Sequence, residues 1–116
     1  MEAIGLLVTL EARAGKEAAA EAFLKSAQPL AVDEKGTLKW YAFRLGQRKF
    51  GIFDTFANEA GRSAHLTGEI AKALGARASE LFAVSPQVEK VDILCKHPFE
   101  RLSPGGQKET AIREKK

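Results

Sequence analysis

The stretch Thr37-Leu38-Lys39-Trp40-Tyr41-Ala42-Phe43-Arg44-Leu45-Gly46-Gln47-Arg48-Lys49-Phe50-Gly51-Ile52-Phe53-Asp54-Thr55-Phe56 contains two aromatic, β-rich runs separated by a short polar segment. Aromatic and β-branched residues suit a pleated, half-buried surface, and Gly46-Gln47-Arg48-Lys49 reads as the loop of a hairpin. With the strands pairing around Gln47-Arg48, Tyr41, Phe43 and Leu45 share a face with Phe50, Ile52 and Asp54. Trp40, Ala42 and Arg44 then share the opposite face with Gly51, Phe53 and Thr55. Both faces carry large aromatics, yet only one can be turned toward helices. The hairpin therefore implies a sheet whose second face needs a cover.

Working outward, Ile4, Leu6, Val8 and Leu10 alternate with Gly5, Leu7, Thr9 and Glu11, the period of two of a strand. Ala14-Gly15 makes a turn. From Lys16 to about Glu34 the apolar residues Ala20, Phe23, Leu24, Ala27 and Leu30 recur at helical spacing. Pro29 is expected to kink this helix or loosen its last turn, and Lys35-Gly36 ends it. On the far side of the hairpin, Asn58 is placed to cap a helical stretch from Glu59 towards Phe82. Its inner-face candidates are Ala60, Ala64, Ile70, Ala73, Leu74, Leu81 and Phe82. Gly68 and Gly75 weaken it by about 1 kcal/mol each relative to alanine, enough to divide it. Pro86 leads into a last strand from Val88 to about Lys96. The order β-α-β-β-α-β is the ferredoxin-like arrangement, an α+β fold with a four-stranded antiparallel sheet. Two helical layers cannot cover both of its faces.

At 116 residues and 45% hydrophobic content the chain is expected to form one domain, residues 1–97, with a polar and disordered tail over 98–116. The single cysteine, Cys95, has no internal partner and fits a reducing cytoplasm. Neither a leader segment nor a membrane span is read, so a cytoplasmic protein is expected. The net charge is +3, but the tail holds Arg101, Lys108, Arg113, Lys115 and Lys116 against Glu100, Glu109 and Glu114, which accounts for two of those charges. A body near +1 lacks the concentrated basic stripe of a nucleic-acid surface.

An aromatic sheet face has two well-known uses. RNA-recognition domains share this element order and stack bases on strand aromatics. Here Gly51 stands where their pattern wants an aromatic, Asp54 stands where it wants an aliphatic, and the first strand offers no aromatic platform. The other use is closure against a second copy. A monomer would expose more apolar surface than soluble proteins usually show, so a homodimer through the sheet face is expected, with no nucleic-acid or membrane partner.

The pattern Phe-x-Ile-Phe-Asp-x-Phe from Phe50, followed by His65 eleven residues after Asp54, resembles the antibiotic biosynthesis monooxygenase (ABM) family. The Gly15-Lys16 turn into an amphipathic helix, Gly36-Thr37 before an aromatic strand, and the closing Val88-Glu89-Lys90-Val91-Asp92 are similar too, so the resemblance spans about residues 3 to 96. It implies a dimeric α+β barrel with a pocket between each sheet and its helices. It also implies a small aromatic ligand, in some relatives a polyketide oxidised by oxygen with no metal or flavin. Haem-degrading members resemble one another through an asparagine on the first strand and a tryptophan on the second helix. This chain has neither, which argues against haem degradation.

The residues sort into candidates accordingly. His65 titrates near neutrality and is suited to take a proton from a phenol, with Asp54 as its acid–base partner. Asp54 is equally suited to pair with a cation such as Arg62 and fix the connection between strand and helix. Trp40, Arg44 and Phe53 form a set that would stack on and clamp a planar anionic substrate, or else serve as an interface. Tyr41 and Phe43 read as core. No cofactor is expected: two histidines are too few for a metal site, and Gly105-Gly106 follows no strand, so no phosphate loop is read. The function expected is that of an ABM-like small-molecule protein, a cofactor-independent monooxygenase of phenolic or quinone-like compounds, with a non-catalytic dimeric binding domain as the alternative.

Overall fold

The computed structural model describes residues 2–97; the expected tail, 98–116, lies outside them. The elements are β1 (Ile4–Glu11), α1 (Glu17–Asp33), β2 (Thr37–Arg44), β3 (Lys49–Phe56), α2 (Glu59–Leu66), α3 (Glu69–Leu81) and β4 (Gln87–Asp92). All pairings are antiparallel, in the order β2-β3-β1-β4. This is the α+β, ferredoxin-like βαββαβ arrangement with its second helix in two pieces. The break falls at Thr67-Gly68, while Gly75 is carried inside α3. Helix α1 runs unbroken through Pro29. No helix among the described residues is long and apolar enough to cross a membrane.

The core lies between the sheet and α1 and α3. Leu6, Val8 and Leu10 of β1 and Phe50 and Ile52 of β3 meet Ala20, Phe23 and Leu24 of α1, and Leu81 and Phe82 close one end. These apolar positions repeat at two on the strands and three to four on the helix, so each element buries one side.

The hairpin register is one residue away from the sequence expectation, and this reverses its faces. Arg44 pairs with Phe50, Ala42 with Ile52, Trp40 with Asp54, Phe43 with Gly51 and Tyr41 with Phe53. The turn is closed at Leu45, whose N–H donates to Lys49 O at 2.7 Å. This makes the connection one residue longer at its start than a loop centred on Gln47-Arg48, and a slip of one residue moves every side chain to the other face. Trp40 and Arg44 thus look toward the helices, as do Phe50, Ile52 and Asp54. Phe53 does not belong with Trp40 and Arg44. It lies on the outward face with Leu7, Tyr41 and Phe43, and Tyr41, expected in the core, is 54% exposed. Gly51 is required on that face: a Cβ there would strike the Phe43 ring, which lies over it.

Helix α2 also departs from expectation. It buries Arg62 and His65 and leaves Ala60 and Ala64 exposed. Arg62 reaches the backbone, donating to Gly5 O at 3.2 Å and Val91 O at 3.4 Å, and pairs with Glu59 at 2.6 Å. The helix sits on strand backbone and on a carboxylate, so its polar side is the one that packs.

Candidate functional site

Asn58 accepts a hydrogen bond from Gly61 N at 3.0 Å and starts α2, as its residue type predicts. Two turns of α2 then place His65 over β3, where Nε2 lies 3.0 Å from Asp54 Oδ2. The opposite ring nitrogen, Nδ1, lies 2.6 Å from Glu34 Oε1. Glu34 follows the last residue of α1, and its Oε1 also accepts from Thr37 Oγ1 at 2.7 Å. The Phe56 ring, 5.4 Å from the imidazole between centroids, closes one side. Three elements therefore converge on one buried histidine. Asp54 is fully buried and its cation is His65; Arg62 is engaged with Glu59 and backbone carbonyls.

Burial alone pushes the His65 pKa down, because an imidazolium is poorly solvated there. The contacts with Asp54 and Glu34 outweigh that and raise it from 6.5 to about 9. At neutral pH the ring is charged, both N–H groups face carboxylates, and neither nitrogen has a lone pair to offer. Glu34 also rests against the start of α3, since a Cβ on Gly68 would lie 2.9 Å from Glu34 Oε2.

Along the helix-facing side the cross-strand pairs Arg44/Phe50, Ala42/Ile52 and Trp40/Asp54 form three successive rungs. Beside the first of these lies a cleft of about 570 Å³ between α1 and β2, bounded by Leu24, Gln28, Trp40, Ala42, Arg44 and Phe50. Trp40 is one of its lining residues and pairs across the ladder with Asp54, which lies behind the cleft and does not line it. Arg44 is committed locally: it donates to Glu21 Oε1 (3.0 Å), Gly46 O (3.1 Å) and Gln47 O (2.9 Å), and its guanidinium lies 4.9 Å over the Phe50 ring. His65 borders a separate, smaller pocket of about 310 Å³, with Leu30, Glu34, Gly36, Thr37 and Gly68 among its neighbours.

The structure thus brings Asp54 and His65 together, places Trp40 and Arg44 on one cleft, and puts Phe53 on the other side of the sheet. Glu34 was not among the sequence candidates. Its only signal is an acid just before the Lys35-Gly36 helix end, which does not reveal a contact thirty-one residues away. Among the described residues no three His, Cys, Asp or Glu side chains converge as metal ligands. Cys95 is exposed.

No family model matches the chain, and no curated protein matches it. Solved structures do. A protein described as a candidate antibiotic biosynthesis monooxygenase from Caulobacter crescentus is 24% identical over 80% of this chain and 91% of its own, with a TM-score of 0.69. Another so described, from Nitrosomonas europaea, is 11% identical over 79% and 90% of the two chains, with a TM-score of 0.71. At these identities the likeness establishes an ABM-like fold. A different Nitrosomonas europaea protein, of unknown function, is 51% identical over 85% of this chain and 97% of its own, with a TM-score of 0.82. This chain belongs to the same family as that second Nitrosomonas protein, within the ABM-like fold.

Proposed function

We propose that the protein is a cofactor-independent monooxygenase that oxidises a phenolic or quinone-like aromatic compound in the cleft between α1 and β2. The observation that carries this reading is the adjacency of an aromatic-walled cleft ending at Trp40 and a buried acid–base cluster, Asp54–His65–Glu34, on the next strand position. The balanced reaction is phenol plus oxygen to quinone plus water. An aromatic C–H and the phenolic O–H are lost, one oxygen atom enters the ring and the other leaves as water. The protein's contribution is to hold the ring, exclude water and manage the phenolic proton, which returns to the reduced oxygen.

The charged His65 supports this role electrostatically rather than as the free base expected from an ordinary histidine. The imidazolium is taken up by the two carboxylates that flank it, so its part is to hold them in place and reduce the repulsion a phenol meets as its proton leaves. Leu7, Tyr41, Phe43 and Phe53 on the outward sheet face support a homodimer closed through that face.

Oxygen uptake with a panel of phenols and hydroquinones, paired with light scattering, tests both parts. Turnover that falls at least about tenfold in His65→Ala and in Trp40→Ala is expected. Uptake unchanged in His65→Ala would remove His65 from the reaction. A saturable thermal shift without uptake would leave a non-catalytic binding domain, and a monomer at micromolar concentration would overturn the dimer.

A further inference from the structure

We infer that the ligand is a phenol or hydroquinone carrying an apolar side chain, with its ring in the larger cleft and the chain in a second cavity beyond Trp40. This rests on the cleft being the ligand site proposed above.

Strand β2 is an edge of the sheet. Five successive residues, Trp40 to Arg44, line the cleft, although alternate side chains point to opposite faces. Only the free edge of the strand meets all five, so the cleft runs along that edge. A second cavity, of about 320 Å³, continues along it from Thr37 to Trp40. Helix α1 keeps the same order: Leu24 and Gln28 border the first cavity, and Gln28, Ala31 and Val32 border the second. Because Gln28 and Trp40 belong to both, the two cavities form one trough with a waist at that pair. From Glu21 to Val32 the helix rises about 16 Å, longer than a two-ring system.

The two halves differ in chemistry. The larger is walled by Leu24, Trp40, Ala42 and Phe50, and it also offers polar backbone. Leu45 N–H donates to Lys49 O, and hydrogen-bonded pairs alternate along an antiparallel ladder. Phe43 and Tyr41 therefore bond to β3, while the N–H and C=O of Ala42 and Arg44 are directed to the free edge. A hydroxyl both donates and accepts, so it suits neighbouring groups of this kind. In the smaller half the polar side chains of β2 are already engaged: Thr37 Oγ1 donates to Glu34 at 2.7 Å, and Lys39 pairs with Glu2 at 3.0 Å. What stands open there is hydrocarbon. Val32 on α1 is 73% exposed and Leu38 on β2 is 44% exposed. Either alone would be ordinary, but together they bracket one cavity from its two walls. An aliphatic chain gains most by covering them, since each methylene fully removed from water is worth about fourfold in affinity. Hydroxyls at the free β2 edge and a chain past the waist thus fix which way the ligand lies.

The test is titration calorimetry on the full chain in the absence of oxygen, with naphthohydroquinone and the same compound carrying a hexyl chain on its ring. The hexyl compound is expected to bind at least about tenfold tighter. Both Val32 and Leu38 are exposed, so changing them together, Val32→Asp with Leu38→Asp, is compatible with the fold. In that variant the gain from the chain is expected to fall to within about twofold, while the chainless compound binds as before. Equal binding of the two compounds to the unaltered protein, or an undiminished gain in the double variant, would overturn the chain's place in the second cavity and leave the cleft as a ring site. Binding of neither compound would overturn both the cleft and the chain's place. A gain that the double variant abolishes, without oxygen uptake in air, would support the chain's place while overturning the oxidation.

Discussion

Two of the three-membered charge clusters among the described residues have opposite layouts. In one, the His65 cation lies between the carboxylates of Glu34 and Asp54, at 2.6 and 3.0 Å. In the other, the Glu21 carboxylate lies between two cations, Arg44 at 3.0 Å and Lys25 at 2.9 Å. Distances and partner numbers match; surroundings do not. The His65 and Asp54 side chains are 8% and 0% exposed, whereas Lys25 is 76% exposed. The inner cluster shifts its central group far, to about 9, while the outer one lowers the Glu21 carboxyl through the hydrogen bond and charge of Lys25, at the surface. Contact geometry alone does not rank the two; the dielectric around them does.

The largest expected effect follows from removing the central ion of the buried cluster. His65→Ala leaves Asp54 and Glu34 facing each other without a cation, and breaking a buried pair from one side costs about 3–5 kcal/mol. Urea unfolding monitored by Trp40 fluorescence reads this directly. A loss below about 1 kcal/mol would place the cluster in the surface class and erase the contrast.

Next in size is the pH dependence. The folded pKa of His65, about 9, lies above its ordinary value of 6.5, so folding binds a proton more tightly than unfolding does. The stabilisation is fully present below about pH 6.5 and is lost as pH rises through about 9. The size implied by this gap is about 3 kcal/mol. Unfolding midpoints should therefore fall over that window in the unaltered protein and stay nearly flat in His65→Gln. The imidazole titration by NMR locates the same step, and a midpoint near 6.5 would show that the carboxylates do not hold the proton.

How much of this was legible in the sequence depends on range. The strands and α1 announce themselves through local periodicity, and Asn58 through its capping chemistry. Asp54 and His65 are eleven residues apart, within the reach of a strand-to-helix pattern, and the structure brings them together. Glu34 is thirty-one residues from His65, and its contact is made only by the tertiary path of the chain. The hairpin faces were misassigned for another reason: both strands are apolar on both sides, so periodicity gave no preference between registers, and a one-residue difference in the turn decided it. Helix α2 misled because its packing partners are strand carbonyls and a carboxylate rather than side-chain hydrocarbon.

A third effect probes the contact of Glu34 with α3. Gly68 has an ordinary φ of −88°, so alanine is compatible with its backbone. Its Cβ would nevertheless lie 2.9 Å from Glu34 Oε2 and 3.2 Å from Ala64 O. The carboxylate must give way, at a cost of about 1–2 kcal/mol. Gly68→Ala should lower stability and also lower the His65 pKa, since the shifted Glu34 pairs less well. A stability loss without any change in the titration would locate the strain at Ala64 instead.

The smallest effect belongs to the outer cluster, and it completes the contrast. Arg44 makes more contacts than His65: Glu21, two hairpin carbonyls and the Phe50 ring. Counting contacts would rank Arg44→Ala as the more damaging change. Its side chain is 45% exposed, however, so water replaces the lost hydrogen bonds and the freed carbonyls are solvated in turn. The expected loss is below about 1 kcal/mol, and added salt should reduce it further while leaving the His65→Ala loss unchanged. Lost packing over Phe50 is the part that salt does not screen. Measuring both variants at low and high salt therefore separates the two clusters by mechanism: if Arg44→Ala were as costly as His65→Ala, or the latter equally salt-sensitive, burial would not be what distinguishes them.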